Sequence, residues 1–206
     1  MHLAVFGATG HTGRHLVDQA LDSGHHVTAL ARRPAELPAR ARLRVFEGDI
    51  RSAESVARTI AGADAVISAL GRRRWGTTVC ADAMRTVLPA MAAHDVRRLI
   101  ALGNYGTADS RHPGIYTATV WIAIRSIMRD KERMERLIRA GGTAWTIVRP
   151  AALTEGPLTA RYRTGTDLRL TFASKVAFAD VAHFMLAQLT TEEHVREAVA
   201  IGPARA

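Results

Sequence analysis

The 206-residue sequence predicts an α/β fold built on a doubly wound parallel sheet. Three observations predict it. Short apolar runs alternate with longer amphipathic segments along most of the chain. The first such run, Met1-His2-Leu3-Ala4-Val5-Phe6, passes straight into a glycine-rich turn. The composition, 48% hydrophobic and 23% charged, is that of a globular protein, with no low-complexity stretch, internal repeat or dividing linker. Residues 1–206 are therefore expected to form a single domain, a length that one core can serve.

The elements follow from local signals. A first strand is expected over 2–6 and a helix over 11–23, which Gly24 ends by tolerating a left-handed cap. Apolar runs at 26–31 and 43–47 predict the second and third strands, the latter ending at Gly48-Asp49. Ser52 is placed to cap a short helix that reaches about residue 61. A fourth strand over 63–70 stops at Gly71; a helix over 78–94 leads to a fifth strand at 98–102. Residues 103–115, with Gly103, Gly106, Pro113 and Gly114, read as a long loop. One helix is expected over 117–140, ended by Gly141-Gly142, then a sixth strand over 144–148 halted by Arg149-Pro150. Beyond Pro150 the rhythm changes: a loop with Gly156-Pro157, a strand over 167–172, a helix over 177–189 and a short strand near Val199. That segment is too small for a second domain and reads as a cap on the carboxyl edge of the sheet, where open α/β folds bind ligands.

Composition narrows the function classes. The start of the chain lacks the basic, apolar and cleavage regions of a signal peptide. No apolar run approaches the roughly 20 residues that span a bilayer. The expectation is a cytoplasmic protein without a membrane partner. The single cysteine, Cys80, sits in a helical pattern with no base beside it, which reads as a buried structural thiol. Net charge is +9, yet only Lys131 and Lys175 are lysines and the arginines are spread along the chain, so nucleic acid is disfavoured as a partner. His25 and His26, read as adjacent on a strand, would face opposite sides, and no carboxylate-paired histidine arrangement appears, so no metal is expected.

The chemistry-bearing signal is Val5-Phe6-Gly7-Ala8-Thr9-Gly10-His11-Thr12-Gly13-Arg14, a G-x-x-G-x-x-G spacing between a strand and a helix. One glycine permits the tight turn, another lets backbone approach a pyrophosphate, and the third permits close helix–strand packing. The helix N-terminus offers unpaired N–H groups to phosphates, and the Thr9 and Thr12 hydroxyls can add donors. The fold is thus expected to be of Rossmann type, with the cap on its substrate side, and Gly7, Thr9, Gly10, His11, Thr12 and Gly13 to hold a dinucleotide. NAD sites usually place an acidic residue about 20 positions on. This chain has Arg32-Arg33 there, and arginine grips a 2′-phosphate, so NADP(H) is the expected cofactor. Asp49 and Ile50 are expected beside the adenine; Ala69, Leu70 and Gly71 beside the ribose and nicotinamide. Gly103, Pro150 and Ala151 complete the expected cofactor contacts.

On these residues the sequence resembles the atypical short-chain dehydrogenase/reductases with NAD(P)H-binding, NmrA-like members, in particular the flavin reductase group. The resemblance also rests on Gly48-Asp49, Leu70-Gly71, Thr77-Thr78-Val79, Ala93-His94, Gly156-Pro157-Leu158-Thr159 and Asp180-Val181-Ala182-His183-Phe184-Met185-Leu186. It implies NADPH-dependent reduction of a flat conjugated acceptor such as a flavin, quinone or tetrapyrrole. Departures are plain. Lys131 falls where the Tyr-x-x-x-Lys lysine would, but Ile127 replaces the tyrosine. Asn104 stands where the group has a serine, and Ala151 or Ala152 where it has an active-site histidine. The expected catalytic residues are Asn104, Tyr105 and Lys131. Tyr105 could be an acid, a stacking wall or loop packing; Lys131 could bond the ribose or pair on the surface with Asp130 or Glu135. Arg72-Arg73-Arg74-Trp75 could draw in an acidic acceptor or be a solvated loop. The missing tyrosine, serine and histidine leave open a non-catalytic NADP(H) sensor, and the helix over 117–140 could be an outer layer or a homodimer face.

Overall fold

The structure, a computed structural model, describes residues 1–71, 79–111, 115–171 and 173–204. Strands β1 (His2–Phe6), β2 (His26–Ala31) and β3 (Leu43–Glu47) form on one side of the glycine turn, and β4 (Ala65–Ser68), β5 (Arg98–Leu102) and β6 (Ala144–Pro150) on the other. Helices α1 (His11–Asp22), α2 (Ala53–Ile60) and α3 (Val79–Ala93) alternate with them. The sheet order is β3-β2-β1-β4-β5-β6, all parallel, which reverses direction between β1 and β4. A crevice at the carboxyl ends of those two strands is where such sheets take ligands.

The two faces of each strand bury different partners. Leu3, Val5, Ile67, Ile100 and Val148 pack with Leu16, Val17 and Ala20 of α1. Ala4, Phe6, Val66, Leu99 and Ile147 pack with Val56, Met84, Val87 and Met134 on the opposite face. This two-sided burial explains why the strands read as near-continuous apolar runs. Ser52 caps α2 as expected, its hydroxyl accepting from the Ser55 amide. Gly24 has φ +85°, the left-handed geometry its position called for.

The C-terminal third departs from the expected pattern. The single helix expected over 117–140 is two, α4 (Ile115–Ala123) and α5 (Arg125–Ala140), broken at Ile124 with φ −127° and ψ 33°. The break turns α4 onto the loop after β5, where the Trp121 indole donates to the Gly106 carbonyl at 2.9 Å. β6 runs through Arg149 and Pro150, whose carbonyl accepts from the Tyr105 amide. No strand forms at 167–171: Leu170 is 4% exposed, plugged between Tyr105 and Ala200. Instead the sheet is extended by β10 (Glu197–Pro203), parallel to β6, and edged by antiparallel β8 (Tyr162–Gly165). β7 (Ala152–Thr154) and β9 (Lys175–Ala177) form a separate two-stranded ladder, and α6 (Phe178–Ala187) follows it beside α1. No helix of the described residues is long and apolar enough to cross a membrane.

Candidate functional site

The turn between β1 and α1 is shaped by backbone contacts that exclude side chains. Gly7 has φ +85°, and a Cβ there would lie 2.7 Å from the Ala69 carbonyl carbon and oxygen. Gly13 is tighter still: a Cβ would sit 2.0 Å from the Gly7 oxygen. Gly10 is the most forgiving of the three, with a Cβ 3.3 Å from that same oxygen. The Gly10 amide donates to the Gly7 carbonyl at 3.0 Å, closing the turn. Gly10 is also the N-cap of α1, and no side chain caps the helix, so the first-turn amides of His11, Thr12 and Gly13 are presented without intrahelical acceptors. Together with the positive end of the helix dipole, that is an anion-binding surface. Thr9 is half-buried and Thr12 is buried.

β4 is shorter than expected, ending at Ser68, and Ala69 lies over this turn with its amide bonded to the Phe6 carbonyl at 2.9 Å. Leu70 and Gly71 continue along the crevice, and among the described residues nothing lies within 4 Å of a Cβ on Gly71. At the other end, Arg32 and Arg33 follow β2 and are exposed. They differ in engagement. Arg33 pairs with Glu36 at 2.6 Å, whereas Arg32 has no ion pair among the described residues. Asp49 accepts from the Arg51 amide at 2.8 Å, and Ile50 is buried beside Phe6 and Leu30.

Lys131 is 3% exposed and pairs with neither Asp130 nor Glu135. Its ammonium donates to the Leu70 carbonyl at 2.8 Å and to the Leu102 carbonyl, pinning the ends of β4 and β5 together. Asp130 caps α3 instead, accepting from the Cys80 and Ala81 amides at 3.0 Å each. Burial pushes the Cys80 thiol up, against the pull of the Lys131 charge, and Cys80 is buried as its position predicted.

Gly103, Asn104 and Tyr105 extend the β5 edge, the Gly103 amide donating to Val148 at 2.7 Å. Tyr105 is 4% exposed, and its hydroxyl accepts from the Leu170 amide at 3.2 Å. Of the three roles open to it, the packing one matches this placement. Asn104 is half-buried, with its carbonyl accepting from the Thr107 hydroxyl at 2.7 Å. Pro150 is buried and Ala151 half-buried beside Tyr105, at the start of the cap. Arg72-Arg73-Arg74-Trp75 and Thr77-Thr78 lie outside the described residues.

Sequence reasoning missed the brace behind this loop. Glu135 and Arg149 are 0% and 1% exposed and form a two-point ion pair, Nε to Oε1 at 3.1 Å and Nη2 to Oε2. Arg149 also reaches Asp109 at 2.5 Å, and Thr107 donates to Glu135 at 2.7 Å. A Cβ on Gly103 would come within 2.8 Å of Ile147 and 3.2 Å of both Glu135 and Arg149, so that glycine makes room for Ile147 and for the pair.

Comparison with known proteins follows the same geometry. The family whose description is NAD(P)H-binding matches residues 7–192. The uncharacterized protein YwnB of Bacillus subtilis is 25% identical over 214 residues, covering 96% of each chain. Other curated relatives are longer, and this chain spans 14 to 46% of their length. Among solved structures, ChuY of Escherichia coli O157:H7, an anaerobilin reductase, superposes with TM-score 0.87 at 22% identity, covering 100% of this chain and 98% of that one. SP1627 of Streptococcus pneumoniae TIGR4, a candidate NADH-flavin reductase, superposes with TM-score 0.82 at 22% identity, covering 98% and 99%. These likenesses establish the shared Rossmann-type fold.

Proposed function

We propose that this chain, which belongs to the NAD(P)H-binding family, is an NADPH-dependent oxidoreductase that reduces a small conjugated acceptor of the flavin, quinone or tetrapyrrole type. The observation that carries the reading is the cradle of Gly7, Gly10 and Gly13, where backbone alone lines the turn and three helix amides face outward. A pyrophosphate fits that surface, which a side chain at Gly7 or Gly13 would destroy. Bound NADPH supplies the hydride; the chain's residues bind, orient and exclude water. The amides of His11, Thr12 and Gly13 take the pyrophosphate, with Thr9 beside them. Arg32 takes the 2′-phosphate, and Asp49 and Ile50 flank the adenine. Ala69, Leu70 and Gly71 line the nicotinamide side, in register because Lys131 holds the β4 and β5 ends together. Gly103, Pro150 and Ala151 complete the cofactor contacts, with Asn104 on the acceptor side. Support for a reductase comes from the two similar folds, one named an anaerobilin reductase and one a candidate NADH-flavin reductase.

The cofactor assignment separates two arginines. Arg33 is already paired with Glu36, so Arg32→Ala is expected to weaken NADPH by about 10- to 100-fold, the loss of one charge-assisted contact, and NADH by under threefold or so. Arg33→Ala should do much less. Titration of both nucleotides against both variants checks this, and equal losses for NADPH and NADH would remove the 2′-phosphate assignment.

A second reading is favoured by one observation: Ile127 occupies the proton donor's place, which suits an NADP(H) sensor that turns nothing over. The deciding assay is NADPH oxidation, followed by nicotinamide absorbance, against flavins, quinones and biliverdin, with binding measured in parallel. Turnover with any acceptor is the expected result. Tight binding with no turnover across the panel supports the sensor.

A further inference from the structure

Three glycines shape the seven-residue turn and bring no side chains of their own to hold it. Among the described residues, His11 is the only side chain of residues 7–14 hydrogen-bonded outside the turn. Its Nδ1 meets Glu155 Oε1 at 2.7 Å. Its ring stacks on Phe178, with centroids 4.9 Å apart and planes at 23°. These two partners directly follow the two strands of one small ladder, and Phe178 opens α6. β7 pairs with β9 up to Thr154 and Ala177, and the residue after each strand end is the one that touches His11. A stacked ring that is also hydrogen-bonded at its edge has both side-chain torsions fixed, and with them the first residue of α1.

The base of this contact is rigid. Asp180, 4% exposed, accepts from the Thr159 amide, the Thr159 hydroxyl and the Ala160 amide, each at 2.8 Å, and so ties the segment after Glu155 to α6. Gly156 packs closely enough that a Cβ would lie 3.4 Å from that of Ala177. The contact itself is on the solvent side, the His11 and Glu155 side chains being 72% and 70% exposed. It can therefore open without disturbing either core.

From this arrangement we propose that Glu155 and Phe178 form a latch on His11 that holds the phosphate-binding turn in its binding shape and so sets how long NADP(H) stays bound. The inference rests on the reading that this turn takes NADP(H). A turn ordered before the cofactor arrives spends less binding free energy on ordering, and such preorganisation shows mainly in the dissociation rate. Glu155 and Phe178 are positioning residues, since both act through His11.

The test is stopped-flow dissociation of NADPH, followed by its fluorescence, from the wild type and from Glu155→Ala, Glu155→Gln and Phe178→Leu. One exposed hydrogen bond and one ring contact predict dissociation about fivefold faster for Glu155→Ala and for Phe178→Leu. Association should stay within about twofold, because orientation at encounter is unchanged. Glu155→Gln, which keeps a hydrogen-bonding group, should fall between wild type and alanine. The thermal midpoints should match. Unchanged dissociation in both single variants overturns the latch. So does tighter binding by Glu155→Ala, which would make the carboxylate a repelling neighbour of the phosphates. A lowered midpoint with slowed association would mark a merely structural contact and also overturn it. Failure of the wild type to bind NADPH would overturn the cofactor reading together with the latch, whereas binding with unaltered variant kinetics overturns the latch alone.

Discussion

Gly13→Ala is expected to abolish NAD(P)H binding and to destabilise the fold by roughly 3 kcal/mol, the upper range for forced overpacking. The sign is opposite to the general rule. An alanine inside a helix is ordinarily better than glycine by about 0.5–1 kcal/mol, because it restricts the unfolded chain. Here the added Cβ would stand 2.0 Å from the Gly7 oxygen, 2.8 Å from the Gly7 carbon and 2.9 Å from the Ala8 Cα. All three are backbone atoms, so no rotamer change relieves the contact. Either α1 lifts away from β1 or the Gly7 peptide turns, and both destroy the surface where the His11, Thr12 and Gly13 amides face outward. Gly10→Ala, with one contact at 3.3 Å, should lose far less, although a bulkier valine would still crowd the site. Urea unfolding and NADPH titration on the two alanine variants read both effects. A Gly13→Ala protein with wild-type stability and affinity would falsify the packing of α1 on the turn.

That ranking of the glycines shows where the sequence was informative and where it was silent. The G-x-x-G-x-x-G spacing between a strand and a helix located the turn, because the motif's need for missing side chains is local. Which glycine is most constrained depends on how closely α1 lies on Gly7, which no spacing encodes. The parallel strands were legible for a similar reason: burial on both faces makes each a continuous apolar run. The polar edge strand Tyr162–Gly165 has no such run and went unread, while Leu168 and Leu170 imitate strand alternation although Leu170 is a plug beneath a loop. The break at Ile124 was invisible because the residue is apolar and carries no glycine or proline signal. Lys131 was singled out by the family resemblance, but its buried partners are backbone carbonyls that follow or end two strands distant in sequence. The His11 contacts with Glu155 and Phe178 likewise join segments that only the assembled cap brings together.

The other large expected effect concerns the brace that sequence reading passed over because Glu135 and Arg149 each look like ordinary surface residues. Glu135→Gln is expected to cost about 3–5 kcal/mol, the usual consequence of removing one partner from a buried ion pair. The amide keeps the shape but leaves the Arg149 guanidinium, 1% exposed, with a single carboxylate at Asp109. It also replaces the carboxylate that accepts from Thr107 and so loosens the loop carrying Asn104 and Tyr105. Replacing both partners, as Glu135→Leu with Arg149→Met, should recover much of the loss, since no charge is then stranded. Equal instability of the single and double variants would show that shape rather than charge is at stake. Asp109 adds a pH signature. Burial raises its pKa, but the charges and hydrogen bonds of Arg149 and Arg139 outweigh that and hold the folded value below the ordinary 3.8. A depressed folded pKa contributes stability that is fully present well above 3.8 and is lost as pH falls through the folded value. Thermal midpoints of wild type and Asp109→Asn should therefore differ at neutral pH and converge in acid. Parallel curves down to the acid limit would mean that Asp109 lends the brace nothing through its charge, leaving Glu135 alone to neutralise Arg149.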